Sequence, residues 1–283
     1  MRQRDDLVFP LIEYQRRLTE LRRRMAQRDL DVVLTTTPEN ICYLTGFESP
    51  GHYYFNALIV PLEGEPMMVS RHLEDSGVQA LTWVEISRPY ADTQDPISQV
   101  CATLQEFGLD RSRIGFEKNC WFFTAAQQQR LFAACDQATY IDCSGIVEAG
   151  RLIKSEYEID LMRQVARTTE AGIQAGIEAI EPNVTENDIA AEIHYAMIKA
   201  GSEWPSIAPF IASGERGAIG HATWAGRVIQ PQDSVFLEVS GCLKRYHAAM
   251  MRTVFVGEPD ASLWEAEKLV HAAMNACIEA IKP

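Results

Sequence analysis

The feature that most limits what this chain can fold into is a change of rhythm near residue 150. Before it, short apolar runs closed by turn residues alternate with amphipathic helical stretches. A helix over residues 11 to 28 leads to the strand-like runs "DVVLTTT", "NALIVPLEG" and "EPMMVS". The helical "PISQVCATLQEFGL", the strand "RIGFE", a further helix and "TYIDCSG" follow. That alternation predicts an α/β domain over residues 1–150. After it come a long helix, a second helix and then strands, which predicts an α+β domain over 151–283. Ser155, followed by Glu156 and Glu158, suits the start of the long helix, and Thr185 suits the start of the second.

Composition narrows the classes of function. The net charge of −13 repels phosphate backbones, and the dense basic run "RRLTELRRRM" has the spacing of a helix's solvent face, so nucleic acid is not expected as a partner. No apolar run approaches the roughly 20 residues that span a bilayer, and the charged N-terminus lacks a signal peptide's apolar core. No membrane association and a cytoplasmic location are therefore the expectations. The seven cysteines (Cys42, Cys101, Cys120, Cys135, Cys143, Cys242 and Cys277) are scattered without CxxC spacing, which argues against a disulfide framework and a zinc finger.

Two features of the second domain carry more information. "AGIQAGIEAIEP" (171–182) and "AAMNACIEAIKP" (272–283) form a weak internal repeat, the signature of a duplicated unit. If the duplication is real, the chain carries only the start of its second copy. Residues 234–257, "SVFLEVSGCLKRYHAAMMRTVFVG", read as two strands joined by a short basic turn, with Glu238 the only acid. An ion pair with Lys244, Arg245 or Arg252 is the bland reason for a carboxylate there. A place in a binding cleft is the other.

In order along the chain, "PENICYLTGFES", "RLIKSEYEIDLMRQVA", "GIEAIEPNVTENDIAAEI", "FIASGERGAIGHATWAGRVIQPQDSVFLEVSG" and "YHAAMMRTVFVGEP" resemble the creatinase, prolidase and methionine aminopeptidase family. The resemblance implies a creatinase/prolidase-type α/β N-terminal domain followed by an α+β pita-bread catalytic domain, here incomplete at its C-terminus. Metal-dependent members carry two aspartates about eleven positions apart on paired strands. Glu238 stands at the first position and Ala249, which has no donor atom, at the second. A two-metal site needs bridging carboxylates, so no metal is expected; manganese or another divalent ion is the alternative.

Creatinase and the ectoine hydrolases are similar members without such a metal pair. Their pattern places a histidine seventeen positions before the first metal position, which here is His221 in "GHATWAGR". The resemblance makes His221 the candidate general acid and base, since an imidazole can take a proton from water and return it to a departing nitrogen. It makes Glu238 either the anchor of a cationic substrate group or a carboxylate nucleophile. Phe210 and His247 are weaker candidates for lining the pocket, a partner-facing or surface site being the other reading of His247, and Arg252, in "MMRT", matches a common family arginine that bonds backbone or Glu238 more often than substrate. By the same resemblance His52 and Tyr54, in "SPGHYYFN", reach the partner's active site across a homodimer. Three functions stay open: metal-independent hydrolysis of a C–N bond in a small zwitterion such as ectoine or creatine, a metal-dependent Xaa-Pro dipeptidase, and an inactive pita-bread binding module.

Overall fold

The computed structural model describes residues 1–282. The chain divides into two compact units, Met1–Tyr157 and Glu158–Pro283.

The first unit contains α1 (Leu11–Gln27), β1 (Val32–Thr35), α2 (Pro38–Thr45), β2 (Ala57–Pro61), β3 (Met67–Val69), α3 (Asp75–Leu81), β4 (Ile86–Ser87), α4 (Pro96–Glu106), β5 (Arg113–Phe116), α5 (Ala125–Ala134), β6 (Thr139–Asp142) and α6 (Glu148–Arg151). The strands form one sheet in the order β4-β3-β2-β1-β5-β6. β1, β5 and β6 run parallel, whereas β2 is antiparallel to both β1 and β3. The central strands β1 and β2 are buried at every position because both faces are covered. One face packs Val32, Leu34, Ile59, Ile114 and Phe116 against Val100 and Leu104 of α4 and Leu131 of α5. Asp95 caps α4, and a reciprocal capping box of Thr124 and Gln127 starts α5. Sequence periodicity missed α2, whose eight residues run from Pro38 to Thr45 and are capped by Gly46 in the left-handed region (φ 83°).

The second unit is simpler. α7 (Glu156–Glu178, entered from the first unit) and α8 (Glu186–Lys199) pack on one face of an antiparallel sheet of β7 (Phe210–Ser213), β8 (Ser234–Leu243) and β9 (Tyr246–Phe255). Ile173, Ile189, Ile193 and Met197 meet Ile211, Val235, Leu237 and Val239 in the core. Gly176 lets the helices close up: a Cβ there would stand 2.8 Å from the Ile193 side chain and 3.2 Å from that of Leu237. The final helix, α9 (Ala261–Ala280), is exposed along its whole length. No helix among the described residues is long and apolar enough to cross a membrane.

Candidate active site

β8 alternates. Val235, Leu237 and Val239 point into the core, while Phe236, Glu238 and Ser240 lie half-buried on the opposite face. Glu238 pairs in register with Phe210 on one side and Met251 on the other. Phe210 brings the two leading candidates together: its ring lies 5.2 Å from that of His221, centroid to centroid, with the planes tilted by 33°. His221, Phe210 and Glu238 thus form one continuous row. Trp224 meets His194 edge-on instead, with the ring centroids 5.8 Å apart.

The carboxylate of Glu238 is held by no cation among the described residues. Lys244 Nζ lies 2.8 Å from Glu203, and Arg245 lies 3.3 Å from the same side chain. Arg252 pairs with Leu237, one step along from Glu238, so strand alternation turns it to the other face, where its guanidinium donates to the Met251 carbonyl at 2.6 Å. That register keeps Arg252 off the face of Glu238 and leaves it bonded to backbone.

His247 shares the parity of Met251 and hence the face of Glu238, but it lies four residues along β9, about 13 Å at the usual strand rise. Both its ring nitrogens are engaged: Nδ1 lies 3.1 Å from the Arg245 carbonyl, and Nε2 accepts the Ser206 N–H at 3.3 Å. This arrangement requires the neutral ring with its proton on Nδ1, and burial lowers the pKa of His247 accordingly. His247 thus ties Ser206 to the start of β9.

Glu203 was not singled out by its sequence context. It stabilises the β8–β9 turn, where Lys244 (φ 50°) and Arg245 (φ 65°) both occupy the left-handed region that a two-residue hairpin requires. Its Oε2 accepts the Lys244 N–H at 2.8 Å. Burial opposes its ionisation, yet the bonds from Lys244 prevail and hold its pKa below the usual carboxylate value. Glu186, also unanticipated, is wholly buried behind the loop that carries His221. In the first unit His52 packs edge-on against Phe122 at 5.9 Å, and the Arg71 guanidinium covers the Tyr54 ring at 4.2 Å.

Ala249 pairs with Ser240 and so stands diagonal to Glu238 on the same face, the position from which a second carboxylate would share an ion. No three His, Cys, Asp or Glu side chains among the described residues converge as a metal site. Among the described residues this pair of positions therefore carries one carboxylate, that of Glu238, and one methyl group, that of Ala249.

Residues 17–153 match the creatinase/prolidase N-terminal domain, and residues 160–283 match metallopeptidase family M24. The chain is 30% identical to an ectoine hydrolase of Halomonas elongata, over 98% of this chain and 74% of that protein. Among solved structures, an Xaa-Pro dipeptidase from Bacillus anthracis superposes with a TM-score of 0.76 at 24% identity, covering 89% of this chain and 68% of that one. A prolidase from Pyrococcus horikoshii does so with 0.79 at 22% identity, covering 95% and 73%. These two likenesses are of fold.

Proposed function

Because this chain belongs to the creatinase/prolidase family, with a creatinase-type N-terminal domain and an M24 domain, we propose that it hydrolyses a carbon–nitrogen bond in a small zwitterionic solute such as ectoine or creatine, without a metal pair. The observation that carries this reading is the row His221–Phe210–Glu238, in which a carboxylate without a cationic partner among the described residues faces away from the core and is separated from the imidazole by the ring of Phe210. The relative named for ectoine hydrolysis supports the substrate class. The methyl group of Ala249 supports the metal-independent form.

In the proposed reaction the cationic amidine of the substrate lies over the β7–β8 face and forms paired hydrogen bonds with Glu238, which orients it. His221 takes a proton from water as the water oxygen bonds to the amidine carbon, then returns it to the nitrogen as the C–N bond breaks. Phe210 offers an apolar wall to the substrate's methylene groups. The proposal also places the protein in the cytoplasm as a homodimer, with His52 and Tyr54 closing the partner's site.

The test is product release from ectoine, creatine and a Gly-Pro dipeptide, with chelator and with manganese, together with the metal content of the protein. Turnover of a solute that survives chelation, lost by at least about 100-fold in His221→Ala while substrate binding persists, is the expected result. Manganese-dependent dipeptide cleavage would replace this reading with the dipeptidase one. Binding without turnover of any of the three substrates would point to the inactive module.

A further inference from the structure

One buried carboxylate ties together three points around the loop that carries His221. Glu186 is the first residue of α8 and is fully buried. Its Oε1 accepts the Ser213 N–H at 2.9 Å and the Ser213 hydroxyl at 2.7 Å. Its Oε2 accepts the Ala225 N–H at 2.9 Å and an ion-paired hydrogen bond from Arg216. The other terminal nitrogen of Arg216 donates to the Thr223 carbonyl at 2.7 Å. A single side chain thus holds the end of β7, the residue four positions after His221 and, through Arg216, the residue two positions after it.

The helix start does not need this carboxylate, because Thr185 and Asp188 already form a reciprocal capping box. What does need fixing is His221, whose φ of 60° lies in the left-handed region. Residues other than glycine keep that conformation where surrounding structure over-determines it, and such strain gathers at functional sites. The bonds to Ala225 and Thr223 supply the constraint on the C-terminal side of His221, and those to Ser213 supply it at the base of the loop.

We propose that Glu186 is a positioning residue for His221, fixing the loop so that the imidazole lies against Phe210, the register neighbour of Glu238. The proposal rests on the catalytic reading of His221 given above. A clamp of charge-assisted hydrogen bonds, out of water, sets where the proton-carrying ring stands before substrate arrives.

The test compares the wild-type chain with Glu186→Gln. The amide keeps the size of the carboxylate but directs an NH2 group at donors and no longer balances Arg216. Deuterium exchange in residues 214–228 should rise about tenfold or more, while exchange in α1 and β1 stays unchanged. For the solute that the wild type hydrolyses, kcat should fall by about 100-fold with KM altered less than about threefold. Should Glu186→Gln fail to fold, Arg216→Gln removes part of the same clamp from its solvent side, and exchange should rise over residues 219–226. Unchanged exchange in the folded variant, or raised exchange with kcat intact, overturns the proposal. Raised exchange in a protein whose wild type hydrolyses no C–N bond upholds the clamp and removes the hydrolase reading instead.

Discussion

Replacing Glu13 by Gln should remove about 3 kcal/mol from the stability of the first unit at pH 7. Glu13 is 3% exposed and Arg17, one turn on, is 1% exposed. Glu13 Oε1 accepts from Arg17 Nε at 2.8 Å, and both its oxygens accept from Arg16, at 2.7 and 2.9 Å. The Arg17 guanidinium also lies 4.2 Å from the Tyr43 ring and 4.7 Å from that of Phe9. Burial opposes the charge on Glu13, but the two arginines prevail and bring its pKa from 4.5 to about 2. At about 1.4 kcal/mol per pH unit, that depression corresponds to about 3 kcal/mol. Breaking one side of a buried ion pair costs a comparable 3–5 kcal/mol or so, by typical measurements. The folded-state value lies below the unfolded one, so this stability is complete above about pH 4.5 and is lost as the pH falls towards 2. Urea unfolding read by hydrogen exchange in α1 and β1 reports this unit by itself, since two units need not unfold together. A Glu13→Gln protein within about 1 kcal/mol of the parent at pH 7, or a gap that stays constant between pH 7 and pH 2.5, would refute the reasoning.

Two further outcomes follow from the second unit. Gly176→Ala should destabilise it by about 1–3 kcal/mol in urea unfolding, because the new methyl group would stand 2.8 Å from Ile193 between α7 and α8. A change below about 0.5 kcal/mol would show that the helices can part at no expense. For His247, whose pKa burial lowers, the unfolded chain binds the proton more readily, so the contribution of this residue is complete above about pH 6.5 and declines as the pH falls below it. The drop in unfolding midpoint between pH 7.5 and pH 5.5 should therefore shrink in His247→Asn, and an identical drop in both proteins would exclude that contribution.

The elements that were legible in the chain are those fixed by short-range pattern. The apolar runs at β1, β2, β3, β5 and β6, the spacing of α1, α4 and α7, and the Thr185 start of α8 need only neighbouring residues to be specified. The two strands and the basic turn joining β8 to β9 could likewise be read directly. α2 was not legible, because eight residues give too little periodicity to separate a helix from a loop.

The alanine-rich repeat shows the limit of pattern. Both copies are helical, at the ends of α7 and α9, yet Ile173 and Gly176 of the first are buried while residues 272–280 of the second are exposed. The sequence by itself determined the long helices and most strands, the two-part organisation and the lone carboxylate of β8, because each depends on local spacing or composition. Tertiary structure alone decided which groups meet. It placed Phe210 between His221 and Glu238, sent Lys244 and Arg245 to Glu203, and set Glu186 behind a loop 27 residues or more further along the chain. Those contacts arise when sheet register and helix packing bring distant residues together, and no local periodicity encodes that distance.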